Sequence, residues 1–499
     1  MSYLPPTFSA SPDPATLFGL LWPSVEPFVS EIIQDPWDPG SSHEYGVFYD
    51  ALIDASGSAV PPDFLAYLAG EKRGLWKLPP EELAKRAFLM MRVIDRAFRL
   101  VLPETAYALA GAVSARPGDV MRKMKDRWLV EGSLAEIDAG YVALLGPLTS
   151  TMRAEAPEAR NGDLFEHQFV NITFVRKPGA GRRIGFRTLS PSEFMPTPGA
   201  PDRVGVAPIA QDNDDFVFAT EVREPRCYLD ARPADSAATA ARAIDVVTSM
   251  LADGATLVAL PELVMDKDAI GAVRSSVKSG PHNGGRVLVL GTGLSEVTSG
   301  GKVALHYNEA TVCDGRGRVL FSQRKVNHYS MSPERMCECS IVPERDEAHI
   351  ENCATGHELV ICDLPGMGRL MVLICEDFAQ ETPGRGLAQS LMPDWIVTPV
   401  LDIALSPGRW THQKSFSLGI PARMVVSGST TLSVRKAKVG DLASLDASSG
   451  VAMMFDGRVG AAGRLVTAGC LTGANAHAVV EWDTSGWAAT RLELKQKGP

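Results

Sequence analysis

From about residue 203 onward the chain repeats one pattern: a short unbroken apolar run, a polar turn, then a longer amphipathic stretch. Residues 257–260, 370–374 and 395–400 carry no charge at all. A strand facing water on one side alternates apolar and polar residues, whereas a strand without alternation is covered on both faces. Such strands need layers above and below them, which predicts a layered α/β domain. The pattern places strands at 203–210, 256–260, 286–290, 304–313, 319–323, 358–364, 370–374, 395–400 and 425–433. It places a helix over 237–251, with Ala240, Ile244, Val247 and Leu251 on one face. Between the first strand and that helix, residues 211–233 read as a polar insertion.

Upstream, residues 190–202 carry four prolines and continue neither a helix nor a central strand. This makes 191–202 a linker between a first region, 1–190, and a second, 203–499. The first region reads as mostly helical. Its clearest helix spans 81–102, where Leu83, Ala87, Met90, Ile94, Phe98 and Val101 form an apolar stripe between Pro80 and Pro103. Phe165, Phe169, Ile172 and Phe174 suggest a short β segment, and Gly179, Gly181 and Arg182–Arg183 a turn after it. No motif in this region points to a role.

The net charge of −10 argues against a general nucleic-acid surface. The N-terminus lacks the pattern of a secretory signal, and the apolar stretch 100–115 is interrupted by Pro103 and Glu104, so no membrane partner and a cytoplasmic location are expected. Eight cysteines in 499 residues do not make a disulfide framework.

Three strand ends carry reactive side chains: Glu262 after Leu-Pro, Lys325 after Gln-Arg, and Cys375 inside Leu-Ile-Cys-Glu-Asp. Each has a plain structural reading by itself: a cap, a solvated charge, a core thiol. Their combination has a chemical one. A thiol attacks an acyl carbon and splits hydrolysis into acyl transfer and deacylation. A carboxylate takes the thiol proton and returns it to the leaving nitrogen. An ammonium, with the backbone N–H of Glu376 after the nucleophile, stabilises the oxyanion.

The segments 253–262, 307–326 and 368–377, with 393–399 and 422–426 downstream, resemble the carbon–nitrogen hydrolase (nitrilase-like) superfamily in order and local sequence. The likeness spans about 203–485, with separations of 63 residues from Glu262 to Lys325 and 50 from Lys325 to Cys375. It implies an α-β-β-α sandwich, Glu262, Lys325 and Cys375 as the catalytic trio, and hydrolysis of a non-peptide amide, carbamoyl or nitrile without a cofactor. It also implies a homo-oligomer, since the family commonly forms dimers and larger assemblies. The family usually adds a carboxylate after the lysine. Glu334, in Ser-Pro-Glu-Arg, is the first choice, with Glu347 and Glu351 as competitors. Ser427 to Thr430 stand where the family often has Asn, which alters the expected pocket lining. Cys-Glu-Asp at 375–377 is similar to glutaminase domains that feed a synthetase, a role that needs a separate partner. Asp402, Trp410 and His412 are candidates for contact with the substrate.

Cys337, Cys339, Cys353 and Cys362 with His349 and His357 lack a paired metal motif, so no metal is expected. Two other readings stand beside the hydrolase. One makes residues 1–190 a docking or sensing module that lets a protein partner regulate the same site. The other makes the fold a non-catalytic scaffold, which has no need for all three reactive residues.

Overall fold

The computed structural model describes residues 12–34, 42–69, 79–101, 118–131, 134–146, 165–179, 181–196, 202–280, 285–299, 302–403, 405–406, 422–456, 463–471, 476–482 and 492–494. With strands numbered in chain order, two seven-stranded sheets form the centre. The first runs β11 (Val319–Arg324), β10 (Lys302–Asp314), β9 (Val287–Ser299), β8 (Leu257–Ala259), β5 (Asp202–Val206), β20 (Ala478–Trp482), β21 (Leu492–Leu494). The second runs β19 (Gly463–Thr467), β18 (Gly450–Asp456), β17 (Arg423–Gly428), β16 (Trp395–Val400), β15 (Gly368–Val372), β14 (Glu358–Leu364), β4 (Arg183–Thr188). In the first sheet β5, β8 and β9 are parallel, and in the second β15, β16 and β17 are parallel.

Alternate residues of one strand enter different cores. Leu257, Ala259, Val287 and Val289 join a cluster that continues into Leu370, Val372 and Val397 of the second sheet. Val258, Leu260, Leu288 and Leu290 join another. That second cluster is completed by Ala243, Val247 and Met250 of one helix (Ser236–Ala252) and Ile270, Val273 and Val277 of the next (Lys267–Ser279). Both faces are therefore dry, which is why these strands show no alternation. The outer face of the second sheet is covered by the helix Gly386–Leu391, whose Leu387, Ala388 and Leu391 are buried, and by Trp128 of the helix Asp119–Glu131. Layer order is helix, sheet, sheet, helix, as the α-β-β-α expectation has it.

The described part of the N-terminal region is mostly helical, and the short β segment expected near its end is present at Ile172–Arg176. Its long helix runs Pro80–Ala97 with Ala87, Met90 and Ile94 buried. A three-stranded antiparallel sheet lies beside it: β1 (Ala135–Ile137), β2 (Gly140–Leu144) and β3 (Ile172–Arg176). Asp95 of the helix is buried and accepts backbone N–H bonds from Val170, Asn171 and Ile172, which holds the approach to β3. Strand β4 lies within residues 1–190 yet pairs in parallel with β14 as the edge of the second sheet. Phe194 is buried, so the start of the proline-rich stretch is packed, while residues 197–201 lie outside the described ones.

One buried cation joins the N-terminal region to the second sheet. Arg369, wholly buried on β15, pairs with Asp363 of β14 at 2.7 and 3.0 Å. It also donates to the carbonyl of Leu144 at the end of β2 and lies over the Trp128 ring at 5.6 Å. The large core cluster runs without a break from Phe18, Trp22 and Phe169 to Met371 and Trp395.

Residues 211–233, read as a polar insertion, contain a hairpin of β6 (Phe216–Arg223) and β7 (Arg226–Pro233). It extends through β13 (His349–Glu351) and β12 (Ser330–Met331) into a four-stranded sheet in the order β12-β13-β7-β6. Among the described residues, no helix is long and apolar enough to cross a membrane. No group of three or more His, Cys, Asp or Glu among them is arranged to hold a metal ion.

Candidate active site

Glu262 stands three residues beyond β8, in a turn held from both sides. Leu260 N–H donates to Val289 at 3.0 Å, and Leu263 N–H to the Thr292 hydroxyl at 2.8 Å. The turn passes so close to Gly291 (φ 71°) that a Cβ there would sit 2.2 Å from the Pro261 carbonyl oxygen. Lys325 follows β11, its N–H bound to the Asn308 carbonyl of β10 at 2.8 Å. Cys375 lies between β15 and a short helix, Glu376–Ala379, with its N–H bound to Pro399 of β16 at 3.0 Å. Its φ of 46° with ψ of −102° is a costly conformation for a residue with a Cβ. Such strain costs about 1–3 kcal/mol and persists where surrounding structure enforces it.

These three strand ends meet. Lys325 Nζ donates to Glu262 Oε1 at 2.8 Å and to Glu351 Oε2 at 2.5 Å. Asn308 Nδ2 bridges the same two carboxylates at 2.8 and 2.7 Å. Glu262 Oε2 accepts from the Leu401 N–H at 2.8 Å. Glu262, Lys325, Glu351 and Cys375 all line one cavity of about 40 Å³. Glu262 and Lys325 are each only 2 % exposed, so their charges act on each other with little screening by water.

Glu334, the first choice for the additional carboxylate, is not in this cluster. It lies exposed in the first turn of the helix Pro333–Glu338, where the Ser332 hydroxyl holds its carboxyl below the usual range. That turn points its next residue, Arg335, inward, and Arg335 Nη2 binds Asp402 Oδ1 at 2.6 Å. Glu347 is exposed as well, so Glu351 is the carboxylate that reaches Lys325. Asp402, paired with Arg335, does not line the cavity. Trp410 and His412 lie outside the described residues. Glu376 begins the helix after Cys375, so its N–H belongs to the first turn, where no intrahelical acceptor exists.

Burial pushes the Glu262 carboxyl up, the Lys325 ammonium pulls it back, and the Glu351 charge pushes it up again; the net direction is upward. Burial also works to raise Glu351, but Lys325 and the hydrogen bonds from Lys325 and Asn308 outweigh it and hold it low. For Lys325, burial is outweighed by the two carboxylates, so it stays an ammonium. The Cys375 thiol is pushed well above its ordinary value by burial first and the Glu262 charge second. Cys375 thus rests as a thiol.

Two supporting residues were not singled out by sequence. Asn308 spans both carboxylates from inside β10. Asp377, buried and two residues past Cys375, accepts the N–H groups of Val326 (3.1 Å) and Asn327 (2.7 Å), which fixes the backbone just after Lys325. Burial raises its pKa to about 7. A polar side chain within a strand segment that resembles the family's lysine region, Tyr307-Asn308-Glu309-Ala310, is the signal that could have found the first. His349, from the cysteine-rich stretch, is fully buried with Nδ1 against the Glu347 carbonyl and Nε2 near the Glu344 N–H, at 2.8 and 3.3 Å.

No protein-family model matches the chain, and no curated protein sequence matches it. Solved structures do. Glutamine-dependent NAD+ synthetase from Acinetobacter baumannii aligns over 60% of this chain and 48% of its own, so this chain spans about half of that protein. The identity is 12% and the TM-score 0.38. An amidase from Nesterenkonia sp. aligns over 57% of this chain and 92% of its own, at 18% identity and a TM-score of 0.34. Saccharomyces cerevisiae Nit3 aligns over 56% and 90%, at 12% identity and a TM-score of 0.35. Nit3 is described as a member of branch 10 of the nitrilase superfamily.

Proposed function

We propose that this protein hydrolyses a non-peptide carbon–nitrogen bond, in an amide, carbamoyl group or nitrile, through a thioester on Cys375. The observation that carries the reading is the buried Glu262–Lys325–Glu351 cluster sharing one cavity with a strained cysteine. An ion pair kept only for stability gains little from burial, because desolvation offsets the Coulomb attraction. A nucleophile on a positive-φ turn has the same functional flavour.

For an amide, Glu262 takes the Cys375 proton as sulfur bonds to the carbonyl carbon. Its raised pKa makes it a stronger base than an ordinary carboxylate, and the protonated form then gives the proton to the departing nitrogen. Lys325 and the Glu376 N–H stabilise the oxyanion. Glu351 and Asn308 position Lys325 and Glu262, and Asp377 fixes the loop after Lys325. After the amine leaves, Glu262 accepts a proton from water as the hydroxyl adds to the thioester, and the acid is released with the thiol restored.

The test is intact-mass spectrometry of protein quenched during turnover of a panel of primary amides. An acyl adduct on Cys375, removed by hydroxylamine, is expected. Turnover with an adduct elsewhere, or turnover undiminished in Cys375→Ala, contradicts the reading.

A further inference from the structure

The hairpin formed by Phe216–Arg223 and Arg226–Pro233 bears on substrate size. Its strands alternate, and the face carrying Phe218 and Leu229 turns toward the catalytic cavity. Glu351 pairs with Leu229 across the neighbouring strand, so the catalytic carboxylate and this wall share one small sheet. Leu401, Leu432 and Met331 extend this apolar wall, while Asp230 and His349 also line the cavity. The cavity between the wall and the trio measures about 40 Å³. A single water needs on the order of 10–15 Å³ of such space, so the reacting group itself takes up most of it. A wider chamber of about 510 Å³ adjoins it beyond Ala231, Leu263 and Leu294, which line both.

We infer that Phe218 and Leu229 are specificity-determining residues that limit the group on the reacting carbonyl to a short, uncharged chain. This rests on Cys375 being the nucleophile. A longer chain has to displace the Phe218 ring, which is itself held against Phe216 (centroids 5.8 Å apart) and beneath the Arg435 guanidinium (4.8 Å). A charged chain loses its water against an apolar wall.

Straight-chain aldehydes test this without knowledge of the substrate, because a thiol adds to them to form a tetrahedral thiohemiacetal. Protection of Cys375 from 2-chloroacetamide, read by peptide mass spectrometry, reports occupancy. Propanal is expected to protect the wild type at a concentration about tenfold or more below that of hexanal, the scale of discrimination for methylenes at an apolar wall. Phe218→Ala and Leu229→Ala should each close that gap, with folding checked by circular dichroism. Phe218 is only partly buried, so its variant keeps the test available if the other fails to fold. Equal protection by both aldehydes in the wild type, or an unchanged gap in the variants, overturns the inference. If 2-chloroacetamide never modifies Cys375, or no aldehyde protects it, the nucleophile assignment itself is overturned.

Discussion

Among single residues, Glu351 separates the structural account from the sequence reading most sharply. Glu351→Gln keeps the shape but removes a charge from Lys325, and a loss of roughly 10²–10³ in kcat is expected. Glu334→Gln, on an exposed first turn, should stay within about twofold. Ammonia or amine release by the two variants checks both. The pH profile follows from the same cluster. Glu262 has to be ionised to act as base, and its folded-state pKa lies above 4.5, so the acid limb of kcat/KM should fall above that value. In Glu351→Gln the limb should move to lower pH, because one negative neighbour of Glu262 is gone. An unmoved limb would mean that another group controls it. The trio was legible because each member ends an apolar strand in a distinctive local sequence. Glu351 was legible only as one of three candidate carboxylates, because it ends a three-residue strand in a polar stretch, and only pairing with β7 brings it inward.

At the scale of elements, short helices and turns hold the strand ends in place. Asp377, in the helix after Cys375, is tied to the loop after Lys325, so two of the three strand ends that meet at the cavity are linked by one carboxylate. Its folded pKa of about 7 lies above the unfolded value of 3.8. The folded state then binds more protons between those limits, and this contribution to stability is full below about pH 4 and lost as pH rises through 7. The drop in Tm between pH 5 and pH 8 should therefore be smaller in Asp377→Asn than in the wild type, measured by calorimetry in matched buffers. The central strands were legible because their apolar runs are continuous. The hairpin of β6 and β7 was not: Glu221, Arg223, Arg226, Asp230 and Arg232 make its alternation look like a loop. Its apolar half, including Phe216, Phe218, Leu229 and Ala231, is used against the two cores beneath it.

At the scale of the molecule, the N-terminal region and the second sheet share one continuous core. Arg369 is the polar link within it, and its removal leaves Asp363 without its buried partner. Arg369→Ala should destabilise the protein by about 3–5 kcal/mol, the usual consequence of breaking such a pair from one side. Urea unfolding checks the size. Removal of residues 1–176 would expose Met371, Ile396 and their neighbours to water, so association or loss of solubility is expected from such a truncation. In the sequence the proline-rich stretch sets the first region apart from the second. Proline composition marks where regular structure stops, but it says nothing about which surfaces pack afterwards. That is why β4, upstream of the prolines, belongs to the second sheet.

The most direct test of the catalytic account is release of ammonia or amine from a library of amides by the wild type and Cys375→Ala side by side, with both forms shown to be folded. At least one amide is expected to be hydrolysed by the wild type and not by the variant, with a rate loss of about 10⁴-fold or more. Equal hydrolysis by the two proteins, or no hydrolysis by the wild type of any amide, would contradict it.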